Sequence, residues 1–425
     1  MDLQEFILAH ENDDPATLVL QRGRYPSVDV ALAAECIAAR RKLRLKVPQW
    51  YAEGLVCPSA LSAEQCSSTA TALYKAGVAS AAAEGPEAPR ETNGRLRIAD
   101  LTGGLGVDSW QFSKTASRVL YNEMNPLLLE TARANLPRLG CNNVEFSGIC
   151  ITPETLPALL GSFKPDLVFA DPARRSASGR KVFLPEDCSP DVLALQDIIL
   201  AYGCCLLLKL SPMADISLML RKFHCVKEVH VVEADGECKE LLLLLEPGFE
   251  GDTKIIVAAL GSGEEARPAL LDFNFSEIGS AAASFISDLP RRGQFLFEPG
   301  PALSKSGAFN LLSTRFGLPK LGPSAHLYLN DAPTFDRLAG LGKWFSVQEA
   351  APFGKAALRD FAARWPEADV TARALPLSSD ELRARMKIRG SGNIHIFGIG
   401  SSVGKILLAC TPGLTGASRY FPDLR

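Results

Sequence analysis

Histidine is scarce in this chain, and nothing groups it. His10, His224, His230, His326 and His395 are scattered and form no triad or metal motif. The eleven cysteines include the adjacent Cys204-Cys205 but no CxxC pair, so metal-ligand spacing is absent and no metal is expected. Reduced, mostly buried thiols fit a cytoplasmic protein. The opening MDLQEF lacks the basic start and apolar core of a signal peptide. No apolar run is long enough to span a bilayer, so no membrane partner is expected. A net charge of −3 rules out a blanket basic surface, and any nucleic-acid site must be a local patch. What remains is an ordinary globular composition, 47% hydrophobic and 22% charged over 425 residues, with room for two to four domains.

The most informative stretch is RIADLTGGLGVD, Arg97 to Asp108. A short apolar run ends in Asp100, glycines follow, and helical material starts at Asp108. Glycines allow a sharp turn and close approach of a ligand, and the helix start presents free N–H groups. A second strand, Arg118 to Asn122, ends in Glu123, placed to bind ribose hydroxyls. Asp100 would repel a diphosphate, which argues against a dinucleotide and for a cationic ligand. Further on, DLVFADPARR carries an apolar strand into Asp171-Pro172.

Residues 96 to about 247 alternate in the α/β manner. Strands are expected at 96–101, 118–122, 144–146, 167–170 and 204–210, with helices at 108–115, 126–139, 191–201 and 216–223. VKEVHVVEA and LLLLLEP flank DGECKE as a closing hairpin. Residues 1 to about 85 read as mostly helical, followed by an Ala/Glu/Pro/Gly-rich linker. In LSAEQCSSTATALYKAG, Ser62 or another small polar residue is a candidate cap, with Gln65 three positions beyond Ser62. Beyond 250, strands IIVAAL, ALLDFNF, FLFEP and AHLYLN with a helix over 301–316 suggest a small α+β domain. From about 344, a compact β/α pattern follows, including helices 355–365 and 379–387.

The acidic glycine loop, Glu123 and Asp171-Pro172 resemble the class I S-adenosylmethionine-dependent methyltransferases. That resemblance implies a Rossmann-like α/β sheet whose last strand is antiparallel, which the hairpin matches. It implies S-adenosylmethionine as cofactor, held by Asp100, Thr102, Gly103, Gly104, Gly106, Asp108, Glu123, Met124 and Asn125. A polar helix before the loop often contacts the methionine end in this fold, making Ser67, with Gln65 and Ser68, a candidate. Asp171, Pro172 and Arg174 are the expected catalytic set. Three departures stand out. Thr102 occupies the first glycine position of the loop. The usual adenine-contacting acid after the third strand is missing. Ala173, Arg174 and Arg175 follow Asp-Pro where amino-group methylases carry a proline and an aromatic.

The set DLTGGLGVD, DPARR, KLSPM, ECKELL and SSDELRARMKIRG is similar over nearly the whole chain to a bacterial family. That family joins this core to ferredoxin-like and THUMP-like C-terminal domains. The expected organisation is 1–85 helical, 86–248 methyltransferase, 249–343 ferredoxin-like and 344–425 THUMP-like. THUMP domains elsewhere deliver RNA, often tRNA, so RNA is the expected partner.

Residue chemistry points the same way. Arginines stack on bases and pair with phosphate, so Arg174 and Arg175, with Arg180 and Lys181, suit an anionic substrate. Lys209 either faces the same pocket or snorkels. Arg383 and Arg385, with Lys387 and Arg389, are candidates for holding RNA. So are Arg40, Arg41, Lys42, Arg44 and Lys46, with Trp50 and Tyr51 as stacking residues. Glu237, Lys239 and Glu240 stand at a strand start, where they either line the pocket rim or, the favoured reading, form a plain hairpin turn. The expected activity is methylation of a base nitrogen in tRNA or rRNA. A small-molecule or protein methyltransferase, or a non-catalytic RNA-binding protein on this fold, are the alternatives.

Overall fold

The structure, a computed structural model, describes residues 2–51, 55–56, 58–83, 96–174, 185–261, 267–331 and 335–413. It forms two compact units. The first holds residues 1–229 and 240–251, and the second 230–239, 252–261 and the described residues from 267 onward.

The first unit opens with α1 (Leu3–Ala9), α2 (Pro15–Leu20) and α3 (Val30–Lys46). Each starts where an aspartate, Asp2, Asp14 or Asp29, accepts a free backbone N–H of the first turn. The chain leaves α3 at Val47, as Pro48 requires. Most of the basic run along α3 is paired within the protein, while Arg44 is exposed and lies over the Tyr51 ring. Arg40 is buried beside Glu11. Arg41 donates to the carbonyls of Glu11 and Asp13. Lys42 pairs with Glu64, and Lys46 reaches the Glu64 carbonyl. Trp50 is fully buried against Trp110, so it offers no face to a base. Lys42 and Lys46 thus tie α3 to the segment of Glu64, and Arg41 holds the connection between α1 and α2.

Next come α4 (Ala60–Gln65) and α5 (Thr69–Ala83). The small polar residue that caps α4 is Ser59, and Ser62 supplies the N–H that Ser59 accepts. The chain breaks at 66–68, where Ser68 and Thr71 exchange hydrogen bonds at the start of α5.

The α/β core then runs in order: β1 (Arg97–Asp100), α6 (Val107–Thr115), β2 (Arg118–Asn122), α7 (Pro126–Arg138), β3 (Val144–Ser147), α8 (Leu156–Phe163) and β4 (Leu167–Ala170). The two-residue strands β5 (Ala173–Arg174) and β6 (Cys188–Ser189) pair with each other. They are followed by α9 (Val192–Ala201), β7 (Cys205–Leu210), α10 (Ile216–Lys222), β8 (Val226–Ala234) and β9 (Glu237–Leu245). The strand order is β3-β2-β1-β4-β7-β9-β8. The first five strands are parallel, and β9 returns antiparallel against β7. The central strands are apolar and buried on both faces, as a helix-covered parallel sheet demands. The ends of β1, β2, β4 and β7 therefore meet at one edge, where ligands bind in such sheets.

In the second unit, β10 (Lys254–Ala259) and β11 (Ala269–Asn274) form an antiparallel pair beside the tip of β8. A separate six-stranded sheet has the order β13-β12-β14-β17-β16-β15. Its strands are β12 (Phe295–Pro299), β13 (Tyr328–Asn330), β14 (Gly342–Pro352), β15 (Asp369–Arg373), β16 (His395–Ser401) and β17 (Gly404–Pro412). Between strands lie α11 (Phe275–Ser280), α12 (Pro301–Lys305), α13 (Leu311–Phe316), α14 (Phe335–Leu338), α15 (Lys355–Arg364) and α16 (Ser379–Met386). The single helix expected over 301–316 is thus two helices. Gly307, at a φ of +77°, takes the chain out of helical geometry between them. One face of the sheet packs Leu296, Phe345, Phe397 and Leu408, while the other carries Phe361, Leu382 and Met386 from α15 and α16.

No helix among the described residues is long and apolar enough to cross a membrane, and no metal-ligand cluster occurs among them. Every described cysteine is free.

Candidate functional site

The glycine loop is built by neighbours that leave no room for side chains. Gly103 donates its N–H to the Asn122 carbonyl at 2.8 Å. A Cβ added there would lie 2.2 Å from the buried Tyr121 ring. The Tyr121 hydroxyl in turn donates to the Gly104 carbonyl at 2.5 Å. Gly104 has a φ of +55° and turns the chain toward α6. Gly106 caps α6, so N–H groups at that helix start face the strand ends.

Asp100 is almost wholly buried. One oxygen accepts the Thr102 N–H at 3.1 Å and the other the Ser109 hydroxyl at 2.6 Å. Burial pushes its carboxyl up to about 7, against the pull of the Ser109 bond. Glu123 holds the opposite rim. Its oxygens accept the Gly104 N–H at 2.9 Å and the Asn125 N–H at 2.8 Å. Asn125 caps α7, and Met124 between them is exposed. After β3, where an acid was lacking in the sequence, the Asn122 side chain instead fixes the Ile149 backbone at both its N–H and its carbonyl.

Thr102 explains its place in a glycine position. Its hydroxyl accepts the Asp171 N–H at 2.7 Å and so ties the loop to the Asp-Pro turn after β4. Lys209, at the end of β7, does not snorkel. It donates to Asp171 Oδ2 at 2.6 Å and lies 3.9 Å from Glu240. Burial pushes Lys209 down, but Asp171, Glu240 and Asp108 outweigh it and hold the ammonium charged. Pro172 is half-buried. For Arg174 only the backbone is described, in β5, while Arg175, Arg180 and Lys181 lie outside the described residues. Arg383 and Arg385 are exposed on α16 of the second unit, with Arg383 beside Asp380 at 2.5 Å.

One residue of this edge escaped the sequence reading, and a second, Glu240, was read chiefly as part of a turn. Lys75 of α5 is fully buried, bound to both oxygens of Glu240 at 2.9 and 3.1 Å. It also meets Ser67 at 2.9 Å and Asp108 at 3.2 Å, and Ser67 donates to Asp108 at 2.8 Å. Removing one partner of such a pair costs about 3–5 kcal/mol, because the other charge stays buried. Lys75 is the lone charged residue in α5, which was the available signal. Glu240 is not a turn residue but a buried member of β9.

The parallel strands, the antiparallel strand beside β7 and the acid-flanked glycine loop define a Rossmann-like fold of the class I methyltransferase type. The chain belongs to the family of a protein from Porphyromonas gingivalis W83 described as a methyltransferase. The two are 30% identical, the match covers 97% of this chain and 98% of that one, and the TM-score is 0.80. Two proteins of Mycobacterium tuberculosis, strains CDC 1551 and H37Rv, named uncharacterized S-adenosylmethionine-dependent methyltransferases, are each 27% identical over 365 residues, 84% of this chain and 92% of theirs. Residues 295–336 match a ferredoxin-like domain model and residues 342–412 a THUMP domain-like model.

Proposed function

We propose that this chain methylates a base nitrogen of RNA, using the edge built by the glycine loop and the Asp-Pro turn. The coarser assignment is that of its relatives, an S-adenosylmethionine-dependent methyltransferase. The residues fit that cofactor: a turn without side chains at Gly103 and Gly104, the N-terminus of α6, and the Glu123 carboxylate on the rim. When bound, it supplies a methyl group on a sulfonium, ready for in-line displacement. Asp100, Thr102, Gly103, Gly104, Gly106, Glu123, Met124 and Asn125 would hold it, with Ser67 and Asp108 bracing the side toward α5.

The observation that carries the acceptor assignment is the bond from Lys209 to Asp171 Oδ2. It fixes the carboxylate, while the Thr102 hydroxyl holds the Asp171 backbone N–H beside the loop. An amine that donates to Oδ1 would have its lone pair held on one line of approach, and alignment is most of what such a displacement needs. Transfer of the cofactor's methyl to that nitrogen would leave an extra proton on it, and Asp171, already hydrogen-bonded to the amine, would be the acceptor for that proton. Pro172 fixes the backbone behind Asp171. If the target base lies in a helix it must be flipped out. The THUMP domain-like match supports RNA over other acceptors. In this reading residues 1–85, 86–248, 249–343 and 344–425 are helical, catalytic, ferredoxin-like and RNA-holding parts. Arg174, Arg175, Arg383 and Arg385 are its RNA contacts. The test is mass spectrometry of nucleosides from tRNA and rRNA of a deletion strain. Loss of one methylated nucleoside, restored by the wild-type gene and not by Asp171→Asn, is expected. An unchanged set of nucleosides would overturn the RNA assignment.

A further inference from the structure

We propose that Lys75 is a positioning residue: by neutralising Glu240 it keeps Lys209 on Asp171. The inference rests on the reading of Asp171 as the group that orients the acceptor. Lys209 stands between two carboxylates, 2.6 Å from Asp171 and 3.9 Å from Glu240. Glu240 is nearly inaccessible to water, so its charge must be met by protein. The Lys75 ammonium donates to both Glu240 oxygens and is itself fully buried. Lys209 is then left to Asp171. Without Lys75, Glu240 would be a buried carboxylate facing one cation. Attraction grows as distance falls, so Lys209 would be drawn to Glu240 and away from Asp171.

Lys75 also joins this arrangement to the cofactor side. Its ammonium lies 3.2 Å from Asp108 and 2.9 Å from Ser67, and Asp108 sits in the first turn of α6, just after the glycine loop. Asp108 Oδ1 is buried without a hydrogen bond and faces the Lys75 ammonium, while its other oxygen accepts the Ser67 hydroxyl. One ammonium thus braces both the helix that follows the loop and the pair that fixes Asp171.

The test uses the full chain and isotope-labelled lysine. Buried ammonium protons exchange slowly, so Lys75 and Lys209 should each give an NMR cross-peak, assigned by Lys75→Met and Lys209→Met. Lys75→Met should shift the Lys209 peak, and Lys75→Met/Glu240→Gln should return it close to its wild-type position. Should Lys75→Met not fold alone, the Glu240→Gln background decides: adding Lys75→Met there should leave the Lys209 peak where Glu240→Gln alone puts it, and a further shift would overturn the proposal. A Lys209 peak unmoved by Lys75→Met, or lost equally in the double variant, overturns the proposal, since a purely structural lysine would behave so. In parallel, labelled methyl transfer to total RNA from a deletion strain should fall at least about tenfold in Lys75→Met and recover in the double variant. If the wild type labels no RNA, the RNA assignment fails while the ammonium peaks still decide the role of Lys75.

Discussion

Gly103→Ala is the sharpest perturbation of the loop. The added methyl carbon would lie 2.2–2.5 Å from three carbons of the Tyr121 ring. Carbon atoms in contact settle near 3.5–4.0 Å, so more than about 1 Å must be made up. The ring has little freedom, being fully buried against Phe146 and tied by its hydroxyl to Gly104. The loop must move instead, and the Gly104 N–H to Glu123 bond is the first to suffer. Overpacking of this kind costs about 1–3 kcal/mol. If about 2 kcal/mol falls on the binding-competent loop, S-adenosylmethionine affinity drops about 30-fold. Isothermal calorimetry reads this directly. Gly104→Ala is the contrast: its Cβ meets only the Thr102 carbonyl at 3.9 Å, so the left-handed backbone alone costs about 1–2 kcal/mol. In a Tyr121→Leu background the added methyl at Gly103 finds space, and its cost should shrink. Equal affinities for wild type and Gly103→Ala, or an equal penalty in both backgrounds, would refute the steric argument.

Other expectations follow from the same geometry. Asp171→Asn should keep cofactor affinity and lose about 10²-fold or more in turnover, read by paired calorimetry and methyl transfer. Asp100 has a folded-state pKa of about 7, above its ordinary value of 3.8, so the native state gains stability as pH falls through 7 and loses it as pH rises. A cationic ligand favours the ionised form, so binding releases a proton and affinity should weaken toward tenfold per pH unit below about 7. Asp100→Asn should flatten that slope, and a flat wild-type profile from pH 6 to 8 would contradict it. Charge reversal at Arg383 and Arg385 should lower RNA affinity and make it less salt-dependent, with cofactor binding unchanged. Reversal is preferable to deleting everything after Leu341, because β14 pairs with β12 in one sheet.

What the sequence disclosed was mostly local. The strand, glycine turn and helix from Arg97 to Thr115 are consecutive, as are β2 with Glu123, β4 with Asp171, and the closing hairpin. Each rests on periodicity and turn chemistry within a few residues. Lys75 and Glu240 stand 165 positions apart, and no local pattern joins them. The cations of α3 looked like a surface because composition does not reveal which carbonyls and acids fold back onto them. The break at Gly307 was hidden by helix-forming residues on both sides. Thr102 looked like a departure from a glycine pattern, and only the turn at Asp171 gives its hydroxyl a purpose.

The most direct measurement follows a labelled methyl group from S-adenosylmethionine, with the purified full chain added to a deletion-strain lysate. Label is then partitioned among RNA, protein and small molecules. The account predicts label in RNA, on a base nitrogen, absent with Asp171→Asn. Label in protein or small molecules would contradict the acceptor assignment, and no transfer into any fraction would contradict catalysis at this edge.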